Sequence, residues 1–438
     1  MAGKVVGIIG MGDMGKMYAR RLSDAGYRVH ASDVPQKFAA LTEEFKDREN
    51  VTIMQNGHLV SRSSDYIIYS VEAENIDRVV ALYGPSTKLG AIVGGQTSCK
   101  APEIAAFERH LPADASIVSI HSLHGPGVSP VNQPLVFIPH RCSDTSLQFV
   151  QDIFSTFQSK TVILSAEQHD RITADTQAVT HAAFLSMGAA WAANKQFPWE
   201  IPRYVGGIEN VKINITLRIY SNKWHVYAGL AILNPSAKRQ IRQYAESVTE
   251  LFKLMLAGHK KELRDRIWTA GKAVFGTVGE RKSGGVLLED ELLDRFSLGT
   301  KPKERVRNNH LSLLAMVDCW WKLGIVPYDH MICSTPLFRL WLGITEYLFR
   351  NKELLDEVVD TAIEDNTFRA DDLEFTFAAR DWSDRVSFGN MDGYREKFET
   401  IQSYFAPRFP EATKVGNQMI TTIEENLKSR RKSVSKAG

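Results

Sequence analysis

KVVGIIGMGDMGKMYARRLSDAGYRVHASD, residues 4–33, decides how the rest of the chain is read. Val5, Val6, Ile8 and Ile9 form a short apolar run of the kind buried on both faces of a parallel sheet, and it stops at Gly10-x-Gly12-x-x-Gly15. Gly10 permits a tight turn, Gly12 lets backbone approach a pyrophosphate with no Cβ in the way, and Gly15 lets the next helix lie close on the strand. Ala19, Leu22 and Ala25 continue an apolar helix face, Gly26 ends it, and residues 28–32 read as a second strand running to Asp33. Strand, glycine turn, helix and strand with an acid at that distance predict a dinucleotide site. Gly10, Met11, Gly12, Asp13, Met14 and Gly15 would surround the phosphates at the helix start, with Asp33 on a ribose.

Outward from this unit, helices alternate with short apolar strands at 66–71, 91–94, 116–120, 135–139 and 161–164. That alternation predicts a doubly wound parallel sheet, an α/β Rossmann domain over residues 1–165. Past residue 165 the strand signals fade, and an all-α domain is expected over 166–427. Its first helix is expected over 167–194, with Asp170, Thr173, Gln177 and His181 along one side. A second is expected over 207–230, carrying Asn214, Arg218, Asn222 and His225, and Asn234-Pro235 reads as the N-cap and first-turn proline of a third. Residues 276–309 are polar and glycine-rich and read as an exposed insertion, and 428–438 as a solvated basic tail.

A chain of 438 residues with 44% hydrophobic content suits two cores. Lys plus Arg at 53 against Asp plus Glu at 51 is a balanced surface, which argues against a nucleic-acid or membrane-surface protein and for small-molecule partners. Cys99, Cys142, Cys319 and Cys333 make no metal-ligand spacing, so no metal is expected, and reduced thiols in the cytoplasm are. No apolar run reaches the roughly 20 residues that cross a bilayer, and no targeting segment is expected.

In an open parallel sheet, ligands sit beyond the carboxyl ends of the strands. There the chain carries Gly95-Gln96-Thr97-Ser98-Cys99-Lys100 and, one strand later, His121-Ser122-Leu123-His124-Gly125-Pro126. Ser98 and Lys100 could face a substrate, and His121 brings the side chain best able to take a proton near neutral pH. A lone histidine is more often a satisfied structural residue; Ser98 at the neighbouring strand end and a nicotinamide in the same crevice favour chemistry. Cys99 reads as a small buried hydrophobe.

The order GIIGMGDMG, TSCK, HSLHGP, QAVTH, STPLFRLWL resembles prephenate dehydrogenase in its long fungal form. Blocks such as HLVSRSSDYIIYSVEAENI, HDRITADTQAVTHAAFLSMG and RIYSNKWHVYAGLAI extend the resemblance over nearly the whole chain. It implies oxidation of prephenate by NADP, with NAD as the alternative, to 4-hydroxyphenylpyruvate and carbon dioxide, on the route to tyrosine. It further implies that His121 takes or hydrogen-bonds the 4-hydroxyl, although Ser122 stands where the family has proline. Ser98 would hold the same hydroxyl or orient His121, and Lys100, Gln177, His181 and Arg339 would bind substrate, Arg339 through a carboxylate. His121 is preferred to His124. A homodimer built through the helical domain is also implied. Asp33 would repel a 2′-phosphate and by itself favours NAD, unless the acid turns aside toward Lys37. Arogenate dehydrogenase, a β-hydroxyacid dehydrogenase and a nicotinamide-binding sensor are the competing readings. The second of these places a catalytic lysine on the first interdomain helix, where this chain has none before Lys195.

Overall fold

A computed structural model describes residues 3–276, 298, 306–333, 335–419 and 421. The chain divides into two compact units, Met1–Thr173 and Ala174–Gly438, each taken by itself below.

The apolar runs of the first unit become strands β1 (Val5–Ile9), β2 (Arg28–Ser32), β3 (Val51–Ile53), β4 (Tyr66–Tyr69), β5 (Ile92–Gly95), β6 (Ser116–Ser122), β7 (Pro134–Arg141) and β8 (Lys160–Ile163). They form one sheet in the order β3-β2-β1-β4-β5-β6-β7-β8. Ile9 is paired with Ser32 on one side and Tyr69 on the other, so the chain leaves β1 at the point where the strand order turns back. The glycine turn therefore opens at the crevice where such sheets take their ligands. Val6, Ile8, Val29, Ile68, Val118 and Ile120 are almost fully buried, which is why these strands read as continuous apolar runs.

Two features depart from the sequence reading. β7 runs antiparallel to β6, whereas every other pair is parallel. Residues 123–133 between them hold no helix, and without a crossover the chain can return only in the opposite direction. β3 gave no usable signal because it has three residues and lies at the sheet edge, with Thr52 exposed.

The helix Ala166–Thr173 belongs to the first unit. The helix expected over 167–194 is interrupted: a π turn, Ala174–Ala178, separates it from Val179–Ala193. A five-residue turn breaks the 3.6-residue period, so the stripe from Asp170 to His181 is not continuous. The helix expected over 207–230 is likewise two, Gly207–Tyr220 and His225–Leu233. The helix Pro235–Ala257 does open on Asn234, whose side chain accepts the N–H groups of Ser236 and Ala237. Most of the expected insertion at 276–309 and all of the basic tail lie outside the described residues. At the insertion's far end Asn308 and Asn309 are buried, not exposed. No helix among the described residues is long and apolar enough to cross a membrane.

Candidate active site

The glycine turn is shaped by what surrounds it. Gly10 has φ 101°, and a Cβ there would lie 2.3 Å from the Ser70 carbonyl oxygen. A Cβ at Gly15 would lie 2.1 Å from the Gly10 carbonyl oxygen, so the helix Asp13–Asp24 can ride this close only on glycine. At Gly12, the N-cap, a Cβ would meet nothing within 4 Å and no side chain caps the helix, which leaves room for an anionic group at its start. Met11 is buried, Gly12 and Asp13 are exposed, and Met14 is half-buried.

Asp33 is turned aside from the expected ribose position. Its Oδ2 accepts the Met11 N–H at 2.7 Å, its Oδ1 accepts the Val34 N–H at 2.7 Å, and Lys37 Nζ stands 3.2 Å from Oδ2. The carboxylate is thereby spent on backbone and partly neutralised, and Lys37 is 54% exposed. A 2′-phosphate at the end of β2 would meet an ammonium beside a masked acid, so these residues fit NADP.

At the ends of β5 and β6 the first unit holds a chain of hydrogen bonds. Asp170, on the helix Ala166–Thr173, caps the helix Lys100–His110: its oxygens accept the N–H groups of Lys100 at 2.7 Å and Ala101 at 2.8 Å. Asp170 Oδ1 also lies 2.9 Å from His169 Nδ1, and His169 Nε2 lies 2.7 Å from His121 Nδ1. An ionised carboxylate can only accept, so the proton of His169 sits on Nδ1 and its Nε2 accepts in turn. His121 must then donate from Nδ1. That leaves its Nε2 as a lone pair with no hydrogen-bond partner among the described residues, on a side chain 8% exposed.

The electrostatics agree. Burial, and then the neighbouring His169, hold the His121 pKa well below the usual histidine value. Burial also lowers His169, against the pull of Asp170. Burial pushes Asp170 up, but its hydrogen bonds from His169 and from the Lys100 and Ala101 backbone prevail and hold it below the usual carboxyl value. Two neutral imidazoles in series on an anion form an acceptor poised at His121 Nε2.

Lys100 does not face a substrate. It is 0% exposed, and its ammonium donates to Glu103 Oε1 at 2.8 Å, the Ile120 carbonyl at 2.8 Å and the Gly95 carbonyl at 3.4 Å. Glu103, one helical turn on, supplies the buried counter-charge, so this lysine holds β5, β6 and the helix start together. Ser98 is half-buried in the same loop, but the group that orients His121 is His169. Ser122 replaces a proline because its hydroxyl makes a buried 2.7 Å hydrogen bond with Tyr18. Cys99 lies 3.5 Å from Asp170, and burial pushes its thiol pKa up, which makes it a poor nucleophile.

In the second unit, Gln177 lies in the π turn with its Nε2 buried and unpartnered among the described residues. His181 packs edge-on to Tyr227 at 4.9 Å, its Nδ1 is buried without a partner among the described residues, and burial lowers its pKa to about 4. Arg339 is half-buried in the first turn of the helix Pro336–Arg350, whose N-cap is Thr335. Arg218 donates to Asn417 at 2.6 Å. The residue that sequence reasoning missed is His169. Asp170 had drawn notice for its helical spacing, and the His-Asp pair next to it was the overlooked signal.

Residues 178–425 match the family of the 6-phosphogluconate dehydrogenase C-terminal domain, and residues 5–93 match NADP oxidoreductase coenzyme F420-dependent. The chain is 60% identical over 423 residues, 96% of this chain and 98% of the relative, to a probable prephenate dehydrogenase [NADP(+)] of Schizosaccharomyces pombe. It is 55% identical over 431 residues, 96% of this chain and 94% of the relative, to the prephenate dehydrogenase [NADP(+)] of Saccharomyces cerevisiae. Among solved structures, a prephenate dehydrogenase from A. aeolicus in complex with hydroxyphenyl propionate and NAD+ is similar with 17% identity and a TM-score of 0.47, over 60% of this chain and 95% of that one.

Proposed function

Because the chain belongs to the NADP-dependent prephenate dehydrogenases, we propose that His121 is the residue that manages the hydroxyl proton while prephenate is oxidised and decarboxylated to 4-hydroxyphenylpyruvate. NADP, held at Gly10–Gly15 and beside Lys37, would supply the hydride acceptor. Loss of a hydride and of carbon dioxide from the prephenate dianion leaves the 4-hydroxyphenylpyruvate monoanion, so no net proton is released. His121 Nε2 therefore holds the 4-hydroxyl proton as the carbon loses hydride and returns it to the phenolic oxygen. A carbinol losing hydride becomes strongly acidic, so a weakly basic neutral imidazole suffices. Ser98 shares that hydroxyl, while His169 and Asp170 act through His121.

Arg339, Gln177 and His181 are proposed to bind the substrate carboxylates. The domains divide the work as nucleotide binding over 1–165 and substrate binding and dimerisation over 166–427, in a cytoplasmic homodimer serving tyrosine biosynthesis. The observation that carries this reading is the His121–His169–Asp170 chain at the same edge of the sheet as the glycine turn. The test is the absorbance of reduced nicotinamide with prephenate or arogenate, each with NADP or NAD. Rapid reduction with prephenate and NADP is expected; no reduction of either cofactor by folded protein would remove the assignment.

A further inference from the structure

The second unit contains a buried charged cluster that the reaction does not use. Arg203 is 4% exposed, and its Nε and Nη1 are buried with no hydrogen-bond partner among the described residues. Only Nη2 is engaged, at 3.3 Å from Asn308 Oδ1, while the guanidinium lies over the Phe368 ring at 4.1 Å. Three of its five N–H groups are unspent.

The acids nearby are committed elsewhere. Asp372 accepts both of its hydrogen bonds from Asn309, at 2.9 and 3.1 Å, and stands 3.9 Å from Arg203. Asp371 takes donors from Asn194, Gln196 and Tyr204. Glu209 is held by Lys212 at 2.7 Å and His310 at 3.0 Å. Burial lifts the Asp372 pKa to about 6 even with Arg203 and Asn309 opposing, so that acid balances the guanidinium weakly.

Arg203 lines a cavity of about 50 Å³ together with Met187, Trp191 and Phe375. At roughly 10–15 Å³ for each water-sized occupant, that is room for about four non-hydrogen atoms. The cavity touches the far end of the helix Val179–Ala193: Trp191 is ten residues beyond His181, roughly 15 Å along the axis. It is thus separate from the residues proposed to meet prephenate.

We propose that this cavity is a binding site for the carboxylate head of a small organic acid, held by the unspent N–H groups of Arg203 with its apolar end against Met187, Trp191 and Phe375. An anion is the group that satisfies a desolvated guanidinium best, and the nearest protein carboxylate does not close on it.

The probe is acetate, followed by saturation-transfer NMR on the full-length protein, with chloride at equal ionic strength as control. Saturable acetate binding is expected in wild type and in Arg339→Ala, and weaker by about tenfold or more in Arg203→Met. Where Arg203→Met does not fold, Arg203→Lys carries the test, since it keeps the charge but loses the planar donors. Absence of saturable binding, meaning that water alone satisfies Arg203, overturns the proposal. So does equal binding by wild type and the folded Arg203 variant, and so does loss of binding in Arg339→Ala alone, which would place acetate at the substrate site.

Discussion

Each unit buries a cluster of charges built from the same residue types, and the two end differently. In the first, Lys100 spends its ammonium on Glu103 and two carbonyls, Glu103 also takes the Thr97 backbone and hydroxyl, and Asp170 takes two backbone N–H groups and a histidine. In the second, Arg203 keeps three N–H groups unspent beside an acid 3.9 Å away. Taking ions out of water costs several kcal/mol each, and only close pairing with full hydrogen bonding offsets that. A complete network therefore serves as a rigid frame that can dictate a tautomer. An incomplete one retains affinity for something from solution.

The sharpest way to break this contrast is at the end of the complete network. His121→Asn is expected to lower turnover by about 10²–10⁴-fold with little change in the Michaelis constant for prephenate. Unchanged turnover in steady-state kinetics would make the network structural only. Lys100→Met would leave Glu103 buried and unpaired, and a loss of about 3–5 kcal/mol is expected in urea unfolding. Arg203→Met without added carboxylate should cost far less, about 1 kcal/mol, because little pairing is lost. Equal costs for the two would erase the distinction between the clusters.

Asp170→Asn keeps the shape but lets the side chain donate toward His169, so His121 would no longer be forced to present a bare Nε2. Turnover should fall by about tenfold to a hundredfold, and the pH profile of kcat should shift, which loss of a helix cap alone would not cause.

Acid should act on the clusters with opposite sign. Burial holds His121 and His169 below the free histidine value, so the unfolded chain takes up protons first; the stability they give is complete above about pH 6.5 and is lost as the pH falls. Asp372 is raised from 3.8 to about 6, so its contribution is complete below its unfolded value and is lost as the pH rises through about 6. Asp372→Asn should remove that second slope, on the order of 3 kcal/mol, in melting curves taken across this range. An unaltered slope would mean that the acid is not held up.

The first unit was legible because its signals are local. A buried strand, three glycines and a helix face lie within one continuous stretch, and the apolar runs that follow mark β4 through β8 once the first two strands are set. β3 and the direction of β7 were not legible, since one is too short for periodicity and the other depends on what a connecting loop lacks. Ser98 and His121 could be placed at strand ends by topology alone. Lys100 was misjudged because a charged residue after a strand looks outward-facing, while its partner Glu103 turns it inward. His169 escaped notice because helix-stripe reasoning selects one residue in three or four, and the π turn at Ala174–Ala178 has no counterpart in apolar spacing.

Asp170 holds the start of one helix and, through His169, the protonation of His121. A single carboxylate thus serves two masters, and selection cannot adjust one without disturbing the other. Lengthening it to glutamate would misplace both at once, so an adaptive route to a different proton affinity at His121 must pass through His169 or through the packing around it, with the acid left untouched.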